Sequence, residues 1–335
     1  MSIVQISYPA YELVKVNLIG LSENVSVISN EYIVPQNYRR NIYVIGIDGM
    51  VSKKAMKTIF SKTSSEAYEF LEENGFMLYD INSPGDQTLT TYGNLLSSRE
   101  NTNPRVVRGL MNGVIPSPFY ERMKLAGYNR QFFNDSDYFG VDAGKLESFL
   151  PSSYTFSVCN YLDNRWGYYA CRLPKLFDEK NSDLITLEDK INFYINNVKI
   201  KPNEKWVTIN HIWFPGHTIG DYNGANYDDF NQFRNYYLDS QQQLKVVFSK
   251  IISHILLHDN NPVIIFMGDH GSYALRSNSK FVFDGYEPSE MPDLLSVDAR
   301  SALLAVYPKD FCIGNVNLND TTGMFLQFFS CLNGY

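Results

Sequence analysis

The chain has 335 residues, of which 44% are hydrophobic and 19% charged, a composition typical of a folded globular protein rather than a disordered one. The net charge is −7 and no block of lysine and arginine occurs, so nucleic acid is not an expected partner. Residues 1–15 lack a basic segment followed by an apolar run, and no stretch of about 18 apolar residues occurs. The sequence therefore predicts no signal peptide, no membrane span and a cytoplasmic location.

The predicted elements alternate between strands and helices after residue 40. Residues 1–40 are expected to form a strand-rich extension that packs on a main domain spanning 41–335. An apolar, β-branched run at 42–47 is typical of a buried parallel strand, and helical spacing predicts one helix over 52–74, ending at Asn74 and Gly75. Further along the chain, the pattern predicts strands at 76–81, 130–133, 206–212, 263–267 and 301–307 and helices at 88–97, 116–126, 228–258 (one or two helices) and 320–332.

This alternation predicts an α/β fold, with helices on both faces of a mostly parallel central sheet. In such a sheet, functional sites lie beyond the carboxyl ends of the strands. Three polar motifs are expected at that edge.

Two of these motifs directly follow predicted strands. Asp48 follows the first strand, where its carboxylate could ligate a metal; the alternative is an ordinary Asp-Gly turn. The most apolar strand runs into Gly-Asp-His-Gly, in which Asp269 and His270 offer an oxygen and an imidazole nitrogen. Mn²⁺ or Zn²⁺ suits this pair of ligands, and a polar turn is the alternative.

The third motif places Thr88 at the start of the helix predicted over 88–97. A hydroxyl there lies near N–H groups that lack intrahelical partners and at the positive end of the helix dipole. That environment suits a nucleophile and the phosphate that it attacks. The alternative is a threonine that only caps the helix.

Together, the aspartate after the first strand, the Thr-Leu-Thr-Thr helix start and the late Gly-Asp-His-Gly resemble the alkaline phosphatase superfamily over residues 41–332. Within it, the sequence is similar to sulfatase-like lipoteichoic acid synthases, phosphoethanolamine transferases and phosphoglycerol transferases. The resemblance implies a three-layer αβα sandwich of the alkaline phosphatase type and one divalent metal, Mn²⁺ or Zn²⁺. It implies that the metal is bound by Asp48, Thr88, Asp269 and His270, and that Thr88 attacks phosphorus to give a phosphothreonine.

The same resemblance implies that His217, or alternatively His211, binds the substrate phosphate or a second metal. Two-metal relatives place an aspartate four residues before this histidine, where this chain has Trp213, and another histidine after Gly-Asp-His-Gly, which this chain lacks. Both departures favour a single metal. His211 could equally be a buried histidine at a strand end, and Arg276 either clamps an anionic substrate or is a surface arginine.

The resemblance leaves the reaction open between transfer and hydrolysis. The expected partners are a phosphate-ester donor and, for a transferase acting on surface polysaccharide, a glycan acceptor. A soluble phosphatase or phosphodiesterase would use the same residues, and a non-catalytic descendant that binds a glycan or another partner is a further alternative. Formylglycine-dependent sulfatase chemistry is not expected, because no Cys- or Ser-x-Pro-x-Arg segment corresponds to Thr88. The sequence does not predict an oligomeric state.

Overall fold

The sheet is built around β1 (Ile42–Ile47), whose six residues are all buried. The computed structural model describes residues 39–83, 88–97, 107, 110, 117–134, 147–148, 187–201, 204–215, 230–275 and 292–311. Nearly all of the predicted N-terminal extension, the predicted closing helix at 320–332, His217 and Arg276 lie outside these residues.

The other strands of the described residues are β2 (Met77–Asn82), β3 (Tyr128–Asn134), β4 (Glu147–Ser148), β5 (Lys205–Ile212), β6 (Val263–Gly268) and β7 (Ser301–Tyr307). With β1 they form one sheet in the order β2-β7-β6-β1-β5-β3-β4. Strands β6, β1, β5 and β3 run parallel to one another, whereas β7 is antiparallel to β6 and β2 is antiparallel to β7. The predicted mostly parallel α/β sheet is thus confirmed.

Helices cover both faces of this sheet. They are α1 (Lys53–Phe60), α2 (Glu66–Glu73), α3 (Thr88–Ser97), α4 (Pro118–Leu125), α5 (Leu187–Asn197), α6 (Phe230–His258) and α7 (Pro292–Arg300). The odd-numbered side chains of β1 pack in one large apolar cluster with α1, α2, α5 and α6, while α3 lies against the opposite face at Gly46.

The single helix predicted over 52–74 is wrong, because the chain turns between α1 and α2. Ser61 ends α1 in the left-handed conformation, at a φ of 56°, and Ser65 caps α2 by accepting a hydrogen bond from the amide of Tyr68. The break lets both short helices bury an apolar face, whereas a straight helix of that length would carry one of those faces away from the sheet.

Helix α7 leads directly into β7, with no loop between Arg300 and Ser301. Because β7 runs antiparallel to β6, Ser301 lies at the edge of the sheet where β6 ends. The end of α7 is therefore at the same edge as the carboxyl ends of the parallel strands.

No helix among the described residues combines the length and the apolar character needed to cross a bilayer.

Candidate active site

Asp48, Thr88, Asp269 and His270 meet at the carboxyl edge of the sheet. Ile47 and Gly268 are register partners in the parallel pair β1 and β6, so the aspartates that follow them start from adjacent positions. Thr88 is the first residue of α3. All four side chains are at most 2% exposed.

The imidazole of His270 lies between the two carboxylates. Its Nε2 is 3.2 Å from Oδ1 of Asp48 and 3.3 Å from Oδ2 of Asp269. The Nδ1 atom is 2.7 Å from the carbonyl oxygen of Gly271, which can only accept, so Nδ1 carries a proton. In the neutral ring, the lone pair is therefore on Nε2 and points toward the carboxylates.

Asp269 connects the histidine to the threonine. Its Oδ1 accepts hydrogen bonds from the backbone amides of Gly49 and His270, both at 3.0 Å. Its Oδ2 accepts a hydrogen bond from the hydroxyl of Thr88 at 2.6 Å, and the same hydroxyl is 3.4 Å from Nε2 of His270. The amides fix the carboxylate so that one oxygen faces the threonine.

The surroundings of His270 strongly change its pKa. Burial alone lowers the pKa, but the charge of Asp269 and the hydrogen bond and charge of Asp48 outweigh burial and raise it to about 9. A proton on Nε2 lies close to an oxygen of each carboxylate.

This arrangement fits a divalent cation. Asp48, Asp269 and His270 each offer a ligand atom within 4.8 Å of the other two. Ligands bound at 2.0–2.2 Å lie about 3–3.6 Å from one another, which matches the distances from Nε2 to both carboxylates. One divalent ion would also neutralise the two carboxylate charges in this buried site. The same donor set does not distinguish Mn²⁺ from Zn²⁺.

The loop that follows Asp48 is held by α6. The hydroxyl of Tyr237 donates to the carbonyl of Gly49 at 2.8 Å and accepts from the amide of Val51 at 3.0 Å. Gly49 has a φ of 67°, which glycine adopts without strain. Tyr237 was not predicted, because nothing in the sequence of a long amphipathic helix marks one tyrosine as a support for a distant loop.

Ser83, which follows β2, and Thr91 in α3 are both hydrogen-bonded to the end of β6. Both hydroxyls donate to the backbone carbonyl of Asp269, at 2.7 Å and 2.6 Å, and they are 2.6 Å from each other. Helical spacing could have indicated Thr91, because a residue three positions after Thr88 lies near the same helix face. No sequence signal indicated Ser83.

His211 lies beside the four-residue cluster without joining its group of ligand atoms. It is fully buried at the end of β5, and its Nδ1 is 3.2 Å from the hydroxyl of Tyr92. Among the described residues, the group that could hold a metal consists of Asp48, Asp269 and His270 and does not include His211. The substrate-binding roles of His211, His217 and Arg276 stay predictions.

The fold is similar to that of several solved structures. The phosphonate monoester hydrolase of Agrobacterium radiobacter matches with a TM-score of 0.53 and 10% identity, over 88% of this chain and 74% of that one. The C-terminal periplasmic domain of EcEptC from Escherichia coli, in complex with Zn, matches with a TM-score of 0.52 and 12% identity, over 89% and 84%. The integral membrane protein lipooligosaccharide phosphoethanolamine transferase A from Neisseria meningitidis matches with a TM-score of 0.50 and 13% identity, over 90% and 56%.

These structures establish the class of fold. The chain shares the alkaline phosphatase-like fold of these structures, and the resemblance inferred from the three motifs is confirmed at the level of fold. No protein-family model matches the sequence, and no curated protein matches it either.

The expected cytoplasmic location is wrong. One structure of this fold is a periplasmic domain, and another is an integral membrane protein of which this chain covers only 56%. A domain of this kind can work outside the cytoplasm without containing an apolar span itself. The composition of residues 1–335 was therefore no guide to location.

Proposed function

We propose that this protein is a metal-dependent enzyme that transfers or hydrolyses a phosphoryl or phosphodiester group, with Thr88 as the nucleophile. The observation that carries the proposal is the hydroxyl of Thr88, held 2.6 Å from Asp269 beside a buried Asp, Asp and His group. A hydroxyl at the N-terminus of a helix, in contact with residues that could bind a metal, is well placed to attack phosphorus.

In this proposal, Asp48, Asp269, His270 and the Thr88 hydroxyl hold one divalent ion. Such an ion, when bound, lowers the pKa of a coordinated hydroxyl and offsets negative charge on phosphoryl oxygens. The carbonyl of Gly271 keeps the His270 ring in the tautomer whose Nε2 can ligate. The two amides on Oδ1 of Asp269 keep its other oxygen turned toward Thr88.

The reaction then has two displacements. The Thr88 hydroxyl loses its proton, for which Oδ2 of Asp269 is the adjacent acceptor, and its oxygen attacks phosphorus as the ester bond breaks. The leaving alkoxide takes up a proton from water and departs as the alcohol. The amides in the first turn of α3 are available to the phosphoryl oxygens. Water or an acceptor alcohol next attacks the phosphothreonine, which releases the product and restores the hydroxyl.

The nature of the acceptor separates the two forms of this function. Transfer of phosphoethanolamine or phosphoglycerol to a surface glycan is supported by the motif resemblance and by the fold shared with lipooligosaccharide phosphoethanolamine transferase A. Hydrolysis of a small ester is supported by the fold shared with a phosphonate monoester hydrolase. We infer a site of action outside the cytoplasm for the transferase form.

The test is to trap the covalent intermediate. The purified chain, loaded with Mn²⁺ or Zn²⁺, is incubated with a phosphoethanolamine donor or an aryl phosphodiester and quenched in acid, and the mass of the peptide that contains residue 88 is measured. A mass increase that Thr88→Ala lacks supports the proposal. Adding an acceptor alcohol distinguishes transfer from hydrolysis, and a chain that binds metal but turns over neither ester would instead favour the non-catalytic alternative.

A further inference from the structure

Asp298, which no motif pointed to, is the anchor of the loop that follows His270. Its side chain is fully buried two residues before the end of α7. Its Oδ1 accepts hydrogen bonds from the Ser272 hydroxyl at 2.7 Å and the Ala274 amide at 2.9 Å, and its Oδ2 accepts from the Leu275 amide at 2.8 Å.

The backbone at the end of α7 completes this anchor. The amide of Gly271 donates to the carbonyl of Ala299 at 2.9 Å, and the amide of Tyr273 donates to the carbonyl of Asp298 at 3.4 Å. Every residue from 271 to 275 therefore donates a hydrogen bond to Asp298 or Ala299. The two segments approach so closely that a β-carbon on Gly271 would lie 1.9 Å from the Asp298 carbonyl oxygen.

The anchored loop in turn fixes the His270 ring. The carbonyl of Gly271 accepts a hydrogen bond from Nδ1 at 2.7 Å, and the Tyr273 ring lies against the imidazole with a centroid separation of 5.0 Å. Tyr273 has a φ of 55°, a conformation unusual for a tyrosine, which indicates that the surrounding contacts hold it there. The orientation of Nε2 thus depends on a loop that Asp298 shapes.

We propose that Asp298 is a positioning residue for His270, which sets the direction of Nε2 toward the metal without binding the metal itself. Among the described residues, the candidate ligand group contains Asp48, Asp269 and His270 and not Asp298. The inference rests on the proposed metal site. Partners that orient a ligating histidine typically change metal affinity by about 10- to 100-fold when they are lost.

Asp298→Asn is the first variant. The asparagine side chain keeps one acceptor oxygen but replaces the other with an NH₂ group, which cannot accept the hydrogen bond from the Leu275 amide. Asp259→Asn is the matched control. The Asp259 carboxylate also accepts several hydrogen bonds, from Asn41, Tyr43 and Asn261, but it follows α6 and lies beside the start of β1 at the opposite edge of the sheet. Both changes weaken hydrogen bonds to a carboxylate, whereas only the first affects the loop after His270.

The experiment titrates the purified full chain with Mn²⁺ and with Zn²⁺ and measures affinity alongside unfolding in denaturant. We expect Asp298→Asn to bind about tenfold or more weakly, and Asp259→Asn to bind like the wild type whatever stability it loses. Equal affinity of Asp298→Asn and wild type overturns the positioning role and leaves the proposed function intact. A wild-type chain that binds neither ion overturns both.

Ser272→Ala covers the case in which Asp298→Asn does not fold. It removes a single hydrogen bond between the loop and the carboxylate and leaves Asp298 in place. A weaker metal affinity in this variant, by a factor of a few, supports the positioning role, and an unchanged affinity contradicts it.

Discussion

Between β1 and α3, the Tyr92 hydroxyl occupies the space that a side chain at Gly46 would need. A β-carbon on Gly46 would lie 1.9 Å from the Tyr92 hydroxyl oxygen and 3.1 Å from Nδ1 of His211. The glycine therefore lets the tyrosine hydroxyl reach His211, at 3.2 Å, one strand away from the candidate metal ligands.

Gly46→Ala is accordingly expected to destabilise the protein by about 1–3 kcal/mol, because the new methyl group overpacks a rigid interior. The double variant Gly46→Ala with Tyr92→Phe removes the clashing oxygen and should lose less than the sum of the two single changes. Denaturant unfolding of the three variants measures this coupling. Additive losses would show that the methyl group and the hydroxyl do not meet.

Thr88→Ala is expected to abolish turnover and to leave the fold intact. Loss of its hydrogen bond to the Asp269 carboxylate costs about 1.5–3 kcal/mol, which a domain of this size tolerates. Loss of the nucleophile removes the covalent step, so added metal should not restore activity. Circular dichroism and turnover of an aryl phosphodiester check both parts.

Thr58→Ala is the matched control for this change, since Thr58 is an exposed helix threonine whose hydroxyl donates to the carbonyl of Lys54. It should keep full activity. Near wild-type turnover by Thr88→Ala would show that the nucleophile is wrongly assigned, and a metal-activated water would become the better candidate.

Metal binding is expected to release about one proton per ion near neutral pH. The metal-free protein holds a proton on His270, whose pKa is raised to about 9, and that proton must leave before Nε2 can ligate. Calorimetric titration at about pH 7.5 in buffers of different ionisation enthalpy counts the protons. A heat of binding that is independent of the buffer would contradict this prediction.

The pH dependence has opposite signs with and without metal. The contact of protonated His270 with Asp48 and Asp269 stabilises the metal-free protein. This stabilisation is complete at pH values below the ordinary histidine pKa of 6.5 and is lost as the pH rises through the raised pKa of about 9. Metal affinity should instead rise with pH over the same interval, because fewer protons compete for Nε2. Thermal unfolding at several pH values, with and without Mn²⁺, checks both trends.

One metal equivalent per chain is the expected stoichiometry. The described group supplies one imidazole and two carboxylates, and His211 is not part of it. Elemental analysis should find that His270→Ala and Asp48→Ala lose the ion, while His211→Gln keeps it. Two equivalents in the wild type, with one lost in His211→Gln, would contradict the single-metal interpretation.

The sequence predicted the strand and helix boundaries next to which the candidate site residues lie. Strand β1 occupies the predicted positions 42–47, and Thr88 begins α3 as the motif indicated. Both predictions succeeded because the signal is local: a β-branched apolar run, or a hydroxyl before a helical pattern. The order of the strands then brings their ends together.

The parts that escaped prediction depend on contacts between distant segments. Asp298 acts on backbone amides more than twenty residues away in the chain, and backbone groups leave no mark in a sequence. The antiparallel placement of β7 was hidden for the same reason, because an apolar strand pattern does not reveal the direction of its neighbour. The turn at Ser61 was missed because helical spacing continues across it.

No loop separates α7 from β7, so the junction between them cannot absorb an inserted residue. A single residue inserted between Arg300 and Ser301 would either turn the buried side chains of β7 to the other face or rotate the end of α7 by about 100°. The second outcome would take Asp298 away from the loop that it holds. Insertions are therefore expected to be tolerated less well here than in exposed loops, and a reporter peptide placed at this point should abolish the proposed activity.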